Sequence, residues 1–207
     1  MLLGCQVPGN EDIVTARTDT VKKELIIPYA AGIALNKASQ PLFLQTFARL
    51  MQLPDITTGN SALYVRIWLW DGDKKYVVNL NAADNTCYIV EWNCKTIEKL
   101  VIHRAWNNQL SKAGWNNIWE AVNKFRIAEL TSGKPYKEQT HLLTEMSTVQ
   151  FEIARPNSHR YYEYLQPSFY RLTDDGFGKV HAFLKYLNKE LGLEVYDADE
   201  KLVVEPE

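Results

Sequence analysis

Apolar and polar residues alternate most cleanly between Leu63 and Trp70. Leu63, Val65, Ile67 and Leu69 take one face, and Tyr64, Arg66, Trp68 and Trp70 take the other. A period of two marks a strand. Asp71-Gly72-Asp73 reads as a turn, and Lys75 to Asn81 as the return strand of a hairpin. A further turn signal at Ala82 to Asn85 precedes two strands, Thr86 to Glu91 and Ile97 to Trp106. The short links predict an antiparallel meander of about four strands. A second hairpin is expected where Val149, Phe151 and Ile153 alternate, Pro156-Asn157-Ser158 turns, and Arg160 to Leu165 returns with Tyr162 and Tyr164 on one face. An opening strand is also expected within Glu24 to Asn36, which Pro28 and Gly32 interrupt.

Three stretches change to helical spacing. Ser39 and Pro41 open the first, whose apolar positions are Leu42, Phe43, Phe47, Leu50 and Met51, ending before Pro54. Ser111 caps the second, with Trp115, Ile118, Trp119, Val122 and Phe125 along one face. Asp174 or Asp175 caps the third, whose stripe of Val180, Phe183, Leu184, Leu187 and Leu191 stops at Gly192. Strands and helices come in separate runs, so the expected class is α+β: a meander sheet of about four strands plus a hairpin, packed with about three helices. Residues 1–23 read as a flexible tether, 24–193 as one domain, and 194–207 as an acidic tail with a short edge strand at Leu202 to Val204.

Composition narrows the function classes. Twenty-three basic residues face 25 acidic ones, a net charge of −2, without the basic excess that nucleic-acid binders usually carry, so no nucleic-acid partner is expected. No apolar run approaches the ~20 residues of a membrane span. Six Trp and eleven Tyr are available for a core or for a binding face, since both residues join an apolar body to a polar tip.

Two resemblances bear on identity. Leu2-Leu3-Gly4-Cys5 resembles a lipobox, the sequence around the lipidated cysteine of bacterial lipoproteins. The resemblance implies Cys5 as a lipid anchor, contact with the membrane only through that anchor, and a place in the cell envelope. It also requires a basic and apolar signal stretch of about 7–15 residues, which would lie upstream of Met1; otherwise the match is accidental and the protein is cytoplasmic. The polar segment from Gln6 to Lys23 suits a tether. The run GWNNIWEAVNKFRIAEL, then STVQFEIARP, YYEYLQP and a terminal helix is similar to small bacterial proteins of uncharacterised role, over roughly Ser111 to Gly192. That similarity implies no activity.

No catalytic residues, cofactor or metal site are expected. A G-x-S-x-G elbow is absent from the sequence. Gly176-Phe177-Gly178-Lys179 lacks the first glycine and the Ser/Thr of a phosphate loop. Asp71, Asp73, Asn79 and Asn81 lack the calcium-loop spacing. Cys87 and Cys94 would bridge only across a turn near Trp92-Asn93, and two buried free thiols are expected instead. The candidate binding residues form two groups. Tyr64, Arg66, Trp68 and Trp70 make an aromatic row that is either an open platform or, as the plainer reading, is packed beneath the Trp115/Trp119 helix. His159, Arg160, Tyr162 and Tyr164 make a polar patch in which Glu152 would pair with Arg160. A partner protein or small ligand is expected. The competing readings are a cytoplasmic immunity-like protein, or an enzyme whose site assembles from His141, Glu145, His159 and Arg160.

Overall fold

Alternation along the strands builds a single sheet that is buried on both faces. The computed structural model describes residues 23–26, 40–58, 62–71, 74–96, 99–133, 147–172 and 174–193. In chain order the strands are β1 (Lys23–Ile26), β2 (Tyr64–Asp71), β3 (Lys74–Asn81), β4 (Thr86–Thr96), β5 (Lys99–Asn108), β6 (Thr148–Arg155) and β7 (Ser158–Leu165). The helices are α1 (Gln40–Leu50), α2 (Lys112–Lys124), the single turn α3 (Pro167–Tyr170) and α4 (Asp175–Leu191).

The α+β class stands, but the sheet is larger than about four strands. Among the described residues, seven strands form one sheet in the order β1-β5-β4-β3-β2-β6-β7. Every neighbouring pair is antiparallel. The expected separate hairpin, β6–β7, joins the meander through β6, which pairs with the outer edge of β2 from Tyr64↔Ala154 to Trp70↔Thr148. This long-range pairing leaves no local trace in the sequence.

The aliphatic face of the sheet carries α2 and α4. Val65, Ile67, Leu69, Val78, Ile89, Phe151 and Tyr162 pack there against Trp115, Ile118, Val122, Phe183, Leu184 and Leu187. Ser111 Oγ accepts the Gly114 N–H at the start of α2, and Gly192 ends α4 in the left-handed conformation at φ 62°. Both ends follow the capping chemistry of their residues. The opposite face carries α1, whose Leu44, Phe47 and Ala48, with Met51 just after it, meet Trp68, Val77, Val90, Trp92, Leu100 and Ile102. Full burial of such side chains contributes about 1.5–3 kcal/mol each, so this second core is a large share of the fold's stability.

β4 continues through Trp92 and Asn93 without the turn a bridge would need. Cys87 lies in the core under α2 and α4, while Cys94 is half-buried on the α1 side, and both thiols are free. The tether up to Lys22, Cys5, His141, Glu145 and the tail from residue 194 fall outside the described residues.

Candidate functional site

Antiparallel register sets three polar side chains abreast on the α1 face. Arg66 of β2 stands opposite Asn79 of β3 on one side and Glu152 of β6 on the other. Arg66 donates from Nε to Asn79 Oδ1 at 2.7 Å and from Nη2 to the Pro54 carbonyl at 2.5 Å. Its Nη1 lies 3.4 Å from Glu152 Oε2, and each side chain is only 2% exposed. Trp68 Nε1 donates to the same carboxylate oxygen at 2.8 Å. Asn79 Nδ2 donates to the Tyr88 carbonyl, and Trp70 Nε1 to Gln150 Oε1. A buried ion pair is tolerated when its remaining hydrogen-bonding positions are filled in this way.

His159 approaches the other carboxylate oxygen, with Nε2 3.6 Å from Glu152 Oε1. Burial by itself pushes the Glu152 carboxyl up, but His159, Arg66 and Trp68 outweigh it and hold the group below the ordinary glutamate value. Arg66 and Glu152 border a cavity of about 60 Å³ beneath Pro54, Asp55 and Thr57. That space suits ordered water and is far below the ~300–1,000 Å³ of ligand pockets.

On the opposite face, β7 clamps the segment that follows α2. Arg160 donates from Nη1 to the Ala128 carbonyl at 3.3 Å and from Nη2 to the Leu130 carbonyl at 2.8 Å. The Tyr162 hydroxyl donates to the Ile127 carbonyl. At the outer edge of β7, the Gly133 N–H bonds the Glu163 carbonyl, and the Glu163 N–H bonds Ser132 Oγ. Residues 126–133 are thereby strapped along the sheet edge, and their far side forms one wall of a cleft of about 530 Å³. The start of α4 forms the other wall, and Tyr164 lies between them.

Two glycines make room for the Tyr164 ring. A Cβ on Gly133 would fall 2.5 Å from Tyr164 Cδ1 and 2.7 Å from Phe177 Cε2. A Cβ on Gly176 would fall 2.5 Å from the Tyr164 hydroxyl. Phe177 meets the same ring edge-on, with centroids 4.9 Å apart. Burial, with Asp174 and Asp175 close by, pushes the phenol up to about 12, so it stays a neutral donor and acceptor at neutral pH.

The candidate binding residues therefore divide between two places. Tyr64, Arg66 and Trp68 are buried, Trp70 is half-buried, and His159 joins them through Glu152. The aromatic row is covered, but not by the Trp115/Trp119 helix. Phe47 of α1 stacks 6.4 Å from Trp70 and meets Trp92 edge-on at 5.1 Å. Period two places the row opposite the aliphatic residues that α2 and α4 cover, and α1 with the segment after it, Pro54 on Arg66 and Ile56 on Tyr64, covers it instead. Arg160, Tyr162 and Tyr164 belong to the other face, with Tyr162 and Tyr164 buried. Glu152 pairs with Arg66, Trp68 and His159 rather than Arg160, because its register partner is Tyr161 and Arg160 stands opposite Ile153. His159 and Arg160, neighbours in sequence, point to opposite faces and do not share a cleft.

Gly176-Phe177-Gly178-Lys179 is committed to local structure. Asp174 Oδ1 accepts the N–H groups of Gly176 and Phe177 at 2.7 and 3.4 Å. Lys179 pairs with Asp175 one turn earlier. Among the described residues, no group of three or more His, Cys, Asp or Glu side chains is arranged to hold a metal ion. Sequence reasoning missed Asn79, Gln150 and the cleft walls. Gln150 and Glu152 alternate with Val149, Phe151 and Ile153 just as Arg66 alternates with Ile67, and that shared pattern was the available signal. Comparison with family profiles, curated proteins and solved structures finds no match.

Proposed function

We propose that the protein is a non-enzymatic binding module of the bacterial cell envelope, tethered by a lipid on Cys5, that takes its ligand in the cleft over Tyr164. The observation that carries this reading is how the polar groups are used. The acid and the guanidinium that the fold brings together (Glu152 and Arg66) are buried beside a cavity of about 60 Å³, and the half-buried His159 turns its Nε2 toward the Glu152 carboxylate. General acid–base chemistry instead needs such a group within reach of a bound substrate. The cleft over Tyr164, at about 530 Å³, has the size of a ligand site. The tether rests on the Leu2-Leu3-Gly4-Cys5 pattern and the polar segment after it.

Two measurements test the two halves of the reading. Thermal unfolding of the full chain is followed against a panel of neutral saccharides, short peptides and small organic acids, with NMR monitoring the added compounds for turnover. Binding to the folded state raises the midpoint. The expected result is stabilisation by one class with the compound unchanged. Turnover of a compound, or no stabilisation by any class, overturns the binding reading. For the tether, the gene is expressed with its upstream sequence and the membrane fraction is analysed by intact mass. A diacylglyceryl adduct lost in Cys5→Ser is expected, and an unmodified Cys5 overturns the anchor.

A further inference from the structure

The two ends of the strap along β7 are held by different means. Arg126 turns the chain off α2 in the left-handed conformation at φ 54°, and Ile127 and Ala128 are then buried in the core. From Glu129 to Gly133 every residue is exposed or half-buried, and Leu130 is the one large apolar side chain. Three hydrogen bonds tie this stretch to β7. Arg160 Nη2 donates to the Leu130 carbonyl at 2.8 Å, the Gly133 N–H to the Glu163 carbonyl at 3.0 Å, and the Glu163 N–H to Ser132 Oγ at 3.2 Å. The first of them is charge-assisted. Both terminal nitrogens of Arg160 go to strap carbonyls, and it has no carboxylate partner among the described residues.

Few buried apolar contacts and exposed hydrogen bonds mark a segment that opens locally, without the rest of the domain unfolding. Gly133 shows what opening uncovers. Its backbone rests on two rings, where an added Cβ would lie 2.6 Å from Tyr164 Cε1 and 2.7 Å from Phe177 Cε2. Lifting residues 129–133 removes one wall of the cleft and bares both rings. We infer that residues 129–133 are a lid on the cleft, pivoting after the Ile127–Ala128 anchor, and that Arg160 is the positioning residue that holds it closed; the lid's service as a gate for ligand rests on the binding-module reading above. Closed, the lid forms the cleft before a ligand arrives and so lowers the ordering cost of binding. Open, it gives access to the rings.

The test is native-state hydrogen exchange of the full chain, read by NMR at increasing, sub-denaturing urea. The Gly133 and Glu163 amides report the lid. The Val65 and Phe151 amides, on the inner strands β2 and β6, report global unfolding. The lid amides are expected to exchange through an opening that urea barely changes, because it exposes little surface, while the inner amides follow the full urea dependence. Arg160→Ala is expected to speed the lid amides about tenfold more than the inner amides, the lower end for a hydrogen bond to a charged group, since Arg160 is exposed. Arg160→Lys, which keeps the charge, should fall between. The inner amides are the reference in each variant, so a general loss of stability is separated from release of the lid. One common urea dependence for lid and inner amides overturns the inference, as does equal acceleration of both sets in Arg160→Ala. No ligand enters this experiment; failure of the binding reading is seen separately, as the absence of stabilisation across the whole thermal panel.

Discussion

Replacing Glu152 by Gln perturbs the α1 face at its most constrained point. The change keeps the shape of the side chain and an oxygen for Trp68 Nε1, but removes the charge opposite Arg66. Arg66 and Glu152 are each 2% exposed and 3.4 Å apart, so the guanidinium left behind is inside the protein without a counter-ion. Breaking a buried pair in this way costs about 3–5 kcal/mol. Arg66 keeps its bonds to Asn79 and the Pro54 carbonyl, which places the expected loss near the lower end, about 3 kcal/mol. For a chain of this size that corresponds to a fall in Tm of about 6–12 °C. Urea unfolding gives the free energy, with an unchanged m-value showing that the folded and unfolded states remain comparable. The double change Arg66→Met with Glu152→Leu removes both charges and should be less destabilised than the sum of its two single changes. A loss below about 1 kcal/mol for Glu152→Gln, the range of exposed pairs, would refute the reasoning.

Three other outcomes are expected. Because the folded Glu152 carboxyl lies below its unfolded value, its contribution is complete above the ordinary value of about 4.3 and is lost as pH falls through the lower folded value; acid unfolding curves should show that component in the wild type and lack it in Glu152→Gln. Gly133→Ala forces a Cβ against the Tyr164 and Phe177 rings and should cost about 1–3 kcal/mol in chemical denaturation, with a neutral result contradicting the packing at the cleft floor. Burial pushes the Cys87 thiol well up and the Cys94 thiol less far, so iodoacetamide under native conditions should modify Cys94 before Cys87 in peptide mass analysis.

The strands were legible where one face was aliphatic. Val65, Ile67 and Leu69, or Val149, Phe151 and Ile153, carry period two regardless of what covers the other face. The caps of α2 and α4 were legible because Ser111, Asp174 and Gly192 act on their own backbone neighbourhood. The pairing of β2 with β6 was not, since Arg66 and Glu152 are 86 residues apart in sequence, and each looks like a solvated residue until the other is set beside it. A polar residue in alternation normally signals the water-facing side of an antiparallel sheet. Here charge neutralisation by a distant strand allows α1 to cover that side. The assignment of Glu152 to Arg160 failed by a single register step, which is enough to change faces. The cleft over Tyr164 was hidden for a similar reason, because Gly133 and Gly176 matter only when β7 brings one tyrosine against both.

The central claim is that ligand enters over Tyr164 and not across the tryptophan row. A ¹H–¹⁵N spectrum of the full chain titrated with the compounds of the thermal panel tests both surfaces at once, since the six Trp indoles report alongside the backbone. The account predicts movement of Ser132, Gly133 and Gly176 with the Trp68 and Trp70 indoles unmoved; movement of those indoles with the cleft amides unmoved would contradict it.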